Sequence, residues 1–161
     1  MSHYETALIC RNGHVITEGL EHSQNVAAPF CKHCGAATIS ACPACGALIR
    51  GHYYMPAAAF GISRYSPPSY CHQCGVAYPW TQDALDAWRE IAREVEGLSD
   101  EERGKLAASI DDLVSDGPRT QLAVQRLKTL VPKMATGAWN AMREMLVSVA
   151  TDAVKKSLGL G

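Results

Sequence analysis

The 161-residue chain lacks any run of 18 apolar residues, so no transmembrane helix is expected. Its first residues, Met1 to His14, have no apolar core behind a basic start. No secretory signal is therefore read there, and the expected compartment is a reducing cytoplasm. Neither sign of charge is in excess: 15 Lys and Arg against 16 Asp and Glu leave a formal net charge of −1. That is too little for a polyelectrolyte binder of nucleic acid. No Ser-His-Asp order, His-Glu-x-x-His helix or glycine-rich phosphate loop is present. No catalytic residue is assigned, and the chain is expected not to be an enzyme.

Two further absences divide the chain. No cysteine or histidine follows Gly75, and of the three Trp, six Tyr and two Phe only Trp88 and Trp139 lie beyond residue 80. Glycine and proline are dense before that point, while Ala, Leu, Glu and Lys fill helical patterns after it. With 47% apolar and 19% charged residues, the chain reads as globular. The expected fold is a small metal-bound β half, a tandem zinc ribbon over residues 1–80, and an all-α half of about four helices over residues 81–161.

Seven cysteines in a reducing compartment point to metal rather than disulfides, and an odd number asks for one other donor. The short ligand pairs are Cys10 with His14, Cys31 with Cys34, Cys42 with Cys45, and Cys71 with Cys74. Two residues between cysteines let both sulfurs reach one ion from a tight turn, and Gly35, Gly46 and Gly75 let the chain leave it. Eight donors make two tetrahedral sites, with His14 completing the set. His33 and His72, inside knuckles, are the alternatives for the eighth position; His3, His22 and His52 are not assigned. Thiolate-rich tetrahedra favour two structural Zn2+, with iron the main rival. Sequential pairing joins the first pair to the second and the third to the fourth. An interleaved RING-type brace is the alternative.

In the helical half, Thr81 is a plausible N-cap for a helix to about Glu96, with Gly97 as its stop. Ser99 and Glu102 form a capping box for the next helix, which places Leu106, Ile110, Leu113 and Val114 on one side. Pro118 suits the first turn of a third helix, and Pro132 should kink that helix or end it early. A last helix is expected over about Ala138 to Leu158, separated by Gly137. It is apolar over more than half its circumference, so it needs partners on several sides. These are its own bundle, a second subunit or, least favoured, a membrane surface. Residues 81–118 hold four Lys and Arg against eleven Asp and Glu, whereas residues 119–161 hold seven against two. Opposite blocks attract, within the bundle or between copies.

The segment from Gly51 to Tyr70 carries Tyr53, Tyr54, Met55, Phe60, Tyr65 and Tyr70. The ribbon must bury some of them. The rest form a contact surface, and with Arg50 and Arg64 they could stack single-stranded bases. The low positive charge disfavours that use.

The opening I-C-R-N-G-H-V, the run C-P-A-C-G-A-L-I-R-G and the late C-H-Q-C-G resemble a bacterial family of unknown function with paired zinc ribbons, over nearly the whole chain. The stretch from D-G-P-R-T through V-A-T-D-A-V-K-K is similar to a helical ending attached to bacterial proteins, some from phage-defence loci. The resemblance implies zinc and a bacterial cytoplasm, and it implies no activity. The expected function is a non-enzymatic zinc-binding adaptor or regulator acting through an unknown protein partner and through self-association by its C-terminal helices. A nucleic-acid-binding regulator is one alternative. A phage-defence component or RING-like ligase is the other.

Overall fold

A computed structural model of the protein describes residues 1–23, 26–56 and 65–160. The chain divides into two units, Met1–Gln82 and Asp83–Gly161. The first is built from short strands: β1 (His3–Thr6), β2 (Leu8–Cys10), β3 (Val15–Thr17), β4 (Thr38–Ile39) and β5 (Arg50–Tyr54). The helices are α1 (Pro79–Glu94), α2 (Asp100–Val114), α3 (Thr120–Leu130), α4 (Thr136–Val149) and α5 (Asp152–Leu158). A small β half with cysteine clusters and a helical half is the architecture expected from the sequence.

In the first unit, β1 and β5 form a two-stranded antiparallel ribbon, and β3-β2-β4 form a three-stranded antiparallel sheet. All three residues of β2 are buried because it is the central strand. Among the described residues the core is small: Ala7, Ile9, Ile49 and Tyr78 pack with Cys42 and Cys71. Gly51 is required where the ribbon is crossed, since a Cβ there would sit 2.0 Å from the Glu18 carbonyl oxygen. So few buried apolar side chains give little hydrophobic stabilisation, at about 1.5–3 kcal/mol each. Of the aromatic segment, Tyr65 packs against this core and donates its hydroxyl to the Arg50 carbonyl at 2.7 Å. Tyr53, Tyr54, Met55 and Tyr70 are exposed. Phe60 and Arg64 lie outside the described residues.

The second unit has one continuous core. Leu85, Trp88, Ala92 and Val95 come from α1 and its end, Leu106, Ile110, Leu113 and Val114 from α2, and Ala123, Val124, Leu127 and Leu130 from α3. Met142, Leu146, Val149 and Val154 come from the last two helices. The Ser99–Glu102 capping box is present, and α3 ends at Leu130 in a 3-10 turn through Pro132.

Four helix expectations need correction. α1 starts at Pro79, not after Thr81, because a proline has no N–H to leave unpaired in the first turn; Thr81 lies inside the helix and is buried. Pro118 lies in the turn before α3, where the Thr120 hydroxyl accepts from the Gly117 N–H and donates to the Ser115 carbonyl. Gly137 is the second residue of α4 and not a separator. The last helix is two, so the described residues of the helical half form five helices, in keeping with the expected all-α half. Thr151 adopts extended backbone and its hydroxyl accepts from the Val154 N–H, so it caps α5.

The opposite charge blocks meet inside the unit. Lys133 pairs with Glu102 and Arg119 with Asp112 at 3.1 Å, while Arg89 pairs with Asp111 at 2.7 Å within the acidic block. The Lys133 ammonium, with the Ser99 N–H, holds Glu102 down to about 2.

Candidate metal centres

The three C-x-x-C-G knuckles repeat one backbone device. In each, the first cysteine's N–H donates to the carbonyl five residues on: Cys31 to Ala36, Cys42 to Ala47 and Cys71 to Val76, at 2.8, 2.8 and 2.9 Å. The glycine N–H returns to that cysteine's carbonyl at 2.8 to 2.9 Å, and Gly35, Gly46 and Gly75 all take φ between 71° and 74°. Only glycine adopts that left-handed conformation without cost. N–H groups inside the turns then point at sulfur, with His33 to Cys31 and Gln73 to Cys71 both at 3.4 Å. The first pair turns at Gly13, φ 86°, and the His14 N–H reaches the Cys10 Sγ at 3.3 Å.

Sheet pairing brings the knuckles together. Cys10 ends β2 opposite Thr38, which follows the second knuckle, so the first two pairs meet. The third and fourth meet through buried Cys42 and Cys71, in the small core with Ile49 and Tyr78. Two groups result: Cys10, His14, Cys31 and Cys34, and Cys42, Cys45, Cys71 and Cys74. Within each, all four donor atoms lie within 4.8 Å of one another, and both groups could hold a metal ion. The grouping is sequential. His33 stays outside the first group, its ring centroid 5.8 Å from that of His14. His72 belongs to neither group, and His3, His22 and His52 are away from both.

The spacing fits a tetrahedral ion. Metal–sulfur bonds of about 2.3 Å place sulfurs about 3.8 Å apart and a sulfur and an imidazole nitrogen about 3.6 Å apart. Cys10–Cys34, Cys42–Cys74 and Cys45–Cys71 Sγ separations are 3.7, 3.8 and 3.7 Å. His14 Nδ1 lies 3.5 Å from Cys10 Sγ and 3.7 Å from Cys31 Sγ. A disulfide needs about 2.05 Å, so the thiols are unbonded. Cys10, Cys31, Cys42 and Cys71 are buried, while Cys34, Cys45 and Cys74 are exposed.

The thiols differ before any cation is added. The N–H groups of Cys74 and Gln73 bring Cys71 down to about 6. In the same cluster the Ala47 N–H lowers Cys45, but burial and the sulfurs of Cys74, Cys71 and Cys42 outweigh it and push the thiol up to about 12. In the first cluster burial raises Cys10. It also acts on Cys31, where the N–H groups of His33 and Cys34 overcome it and bring the thiol down to about 7. Cys31 and Cys71 are thus biased toward the thiolate form. Further deprotonation packs like charges together and calls for a cation.

One contributor was not anticipated from sequence. Tyr78 is almost wholly buried, stacks on Trp80 at 4.8 Å and 15°, and belongs to the same small core as Cys71. Burial and the neighbouring Cys71 sulfur raise the phenol, so it stays protonated. The only signal was a tyrosine four residues beyond the final cysteine. Trp80 in turn donates its Nε1 to the Pro68 carbonyl at 3.0 Å.

Three knuckles and a Cys-x-x-x-His turn, closed into two four-donor clusters ahead of five helices, define a double metal-knuckle protein with a helical unit. Residues 3–158 match the family model described as an uncharacterized protein conserved in bacteria (DUF2321), and the chain belongs to that family. No curated protein and no solved structure matches the chain. Among the described residues no helix is long and apolar enough to cross a membrane.

Proposed function

We infer that the chain is a non-enzymatic adaptor that holds two structural Zn2+ ions and acts through protein contacts and self-association. The observation that carries this reading is the four-donor make-up of each cluster. Four sulfur or nitrogen donors at tetrahedral spacing fill a zinc coordination shell. A filled shell has no corner for substrate or activated water, so its role is to hold shape. Metal binding of about 10 kcal/mol or more then supplies folding energy that the small core does not. Thiolate ligands suit a reducing compartment, the cytoplasm.

Self-association is assigned to the helical unit. Leu122 on α3 and Val147 on α4 are exposed. Arg126, Lys128, Arg143 and Lys156 form no ion pair among the described residues, and neither do Asp83, Glu90 and Glu94 of α1. A second copy can match these free charges. The test combines elemental analysis with light scattering. The reading expects two zinc ions per chain and a mass above 17.4 kDa that falls toward it in Leu122→Glu/Val147→Glu. A zinc content other than two overturns the structural assignment, and a wild-type mass of one chain overturns self-association.

A further inference from the structure

We propose that a groove beside the first metal cluster takes a short extended peptide in which an apolar residue is flanked by acidic ones. The proposal rests on the adaptor reading and names its docking surface.

The groove encloses about 400 Å3 and is lined by Val15 and Ile16 of β3, by Val26 and Phe30, and by Lys32 in the second knuckle. Its apolar side chains face solvent: Phe30 is 63% exposed and Val26 49%. A phenylalanine left out beside buried Cys31 is an apolar contact without an internal partner, of the kind interface cores use. β3 is an edge strand, and its outer side has no partner strand among the described residues. An edge offers backbone N–H and C=O groups that pair with an extended chain.

Charge selects the occupant. Lys32 stands in the wall. Arg11 is exposed on the adjoining knuckle, where its N–H donates to the Ala37 carbonyl and Ala37 bridges Phe30. No acidic residue occurs between Glu5 and Glu18 or between Glu21 and Asp83. Glu5 is held by His22 at 2.7 Å and Glu21 by Thr6 at 2.6 Å. Lys32 is the charged group among these apolar walls and no carboxylate lines them, which complements an apolar anchor with carboxylates beside it. Phe30 is held by its bridge to Ala37 at the second knuckle, and Val15 and Ile16 by the β2–β3 pairing, so ordering these walls costs a ligand little. A peptide fits better than a nucleic acid. The floor has one aromatic ring for stacking, Lys32 and Arg11 are few cations for a phosphate backbone, and a strand edge has no counterpart in a nucleotide chain.

The experiment selects a phage-displayed random dodecapeptide library on the full-length zinc-loaded chain, then measures the enriched peptides by fluorescence anisotropy beside decathymidylate. Enriched peptides should carry an apolar residue between acidic ones. Their binding should weaken roughly tenfold or more in Phe30→Ala and in Arg11→Glu/Lys32→Glu, with zinc content still two, and should slow exchange of the Ile16 amide. No such enrichment, or binding indifferent to both variants, overturns the groove. Indifferent peptides together with retained self-association would leave the adaptor reading standing alone. Loss of peptide binding and of self-association together would remove both. Tighter binding of decathymidylate, displaced by those variants, overturns the proposal in favour of nucleic acid.

Discussion

Replacing Tyr78 by Phe removes one oxygen and leaves the ring in place, stacked on Trp80 and packed against Ile49 and Cys42. What is lost is the hydroxyl's interaction with the Cys71 sulfur. As a hydrogen bond to a charged acceptor it would contribute about 1.5–3 kcal/mol. The buried hydroxyl also costs desolvation in the native protein, so the lower part of that range applies. At about 1.4 kcal/mol per decade, the second cluster should hold its ion about tenfold less tightly, at the low end of the 10–100-fold seen for outer-shell partners. The first cluster shares no donor with the second and should be unaffected. Titrating the zinc-loaded chain with a chromophoric chelator resolves this as two release steps, one shifted and one not. Equal affinities in wild type and Tyr78→Phe would refute the assignment. A shift of both steps would show that the variant loosens the whole unit.

His14→Ala should leave one zinc per chain by elemental analysis, because Nδ1 of His14 closes the first cluster; a content of two would show that another donor, such as nearby His33, takes its place. Gly97→Ala should destabilise the helical unit by about 2 kcal/mol or more in denaturant titration, since Gly97 has φ +90° and its Cβ would lie 2.0 Å from the Lys133 carbonyl oxygen; an unchanged midpoint would refute the packing. Glu102 is depressed from its ordinary 4.5 to about 2 by Lys133. Its contribution is therefore complete above pH 4.5 and is lost as pH falls toward 2. Glu102→Gln should flatten the acid slope of helix melting, followed by circular dichroism, in that window, and an identical slope would refute the pairing. Thr151→Ala removes the α5 cap and should cost about 1 kcal/mol; no loss in thermal unfolding would count against the break between α4 and α5.

The eight candidate ligands were legible because a knuckle is a local structure. Two cysteines, two spacers and a glycine set their own turn, whatever the rest of the chain does. The capping box at Ser99 was legible for the same reason. The division of the last helix was hidden, because Met142, Leu146, Val149 and Val154 keep an apolar face through the break. Periodicity alone does not register a Thr151 hydroxyl that ends one helix and begins another. The start of α1 is hidden because Thr81 has the side chain of an N-cap, yet Pro79 opens the helix and Thr81 is buried without a hydrogen-bond partner for its Oγ1. Tyr78 was invisible because its role depends on a knuckle meeting a core from elsewhere in the sequence.

The two units handle apolar side chains differently, and metal binding, as proposed, would account for the difference. In the helical unit burial is the source of stability, and Leu122 and Val147 are its exposed large apolar residues. In the first unit Tyr4, Phe30, Leu48, Tyr53, Met55 and Val76 are all at least 42% exposed, beside a core of a few residues. A fold stabilised by hydrophobic burial alone could not leave so many outside, each worth about 1.5–3 kcal/mol if buried. A fold held by two four-donor clusters could, because its turns would close around ions. Phe30 and Leu48 sit where this would matter: each is at the bridge that pins its knuckle, paired with Ala37 and Ala41, on a backbone that zinc would make rigid. Metal would then free apolar side chains from the core and mount them on stiff turns, which is the condition for a surface that recognises by contact.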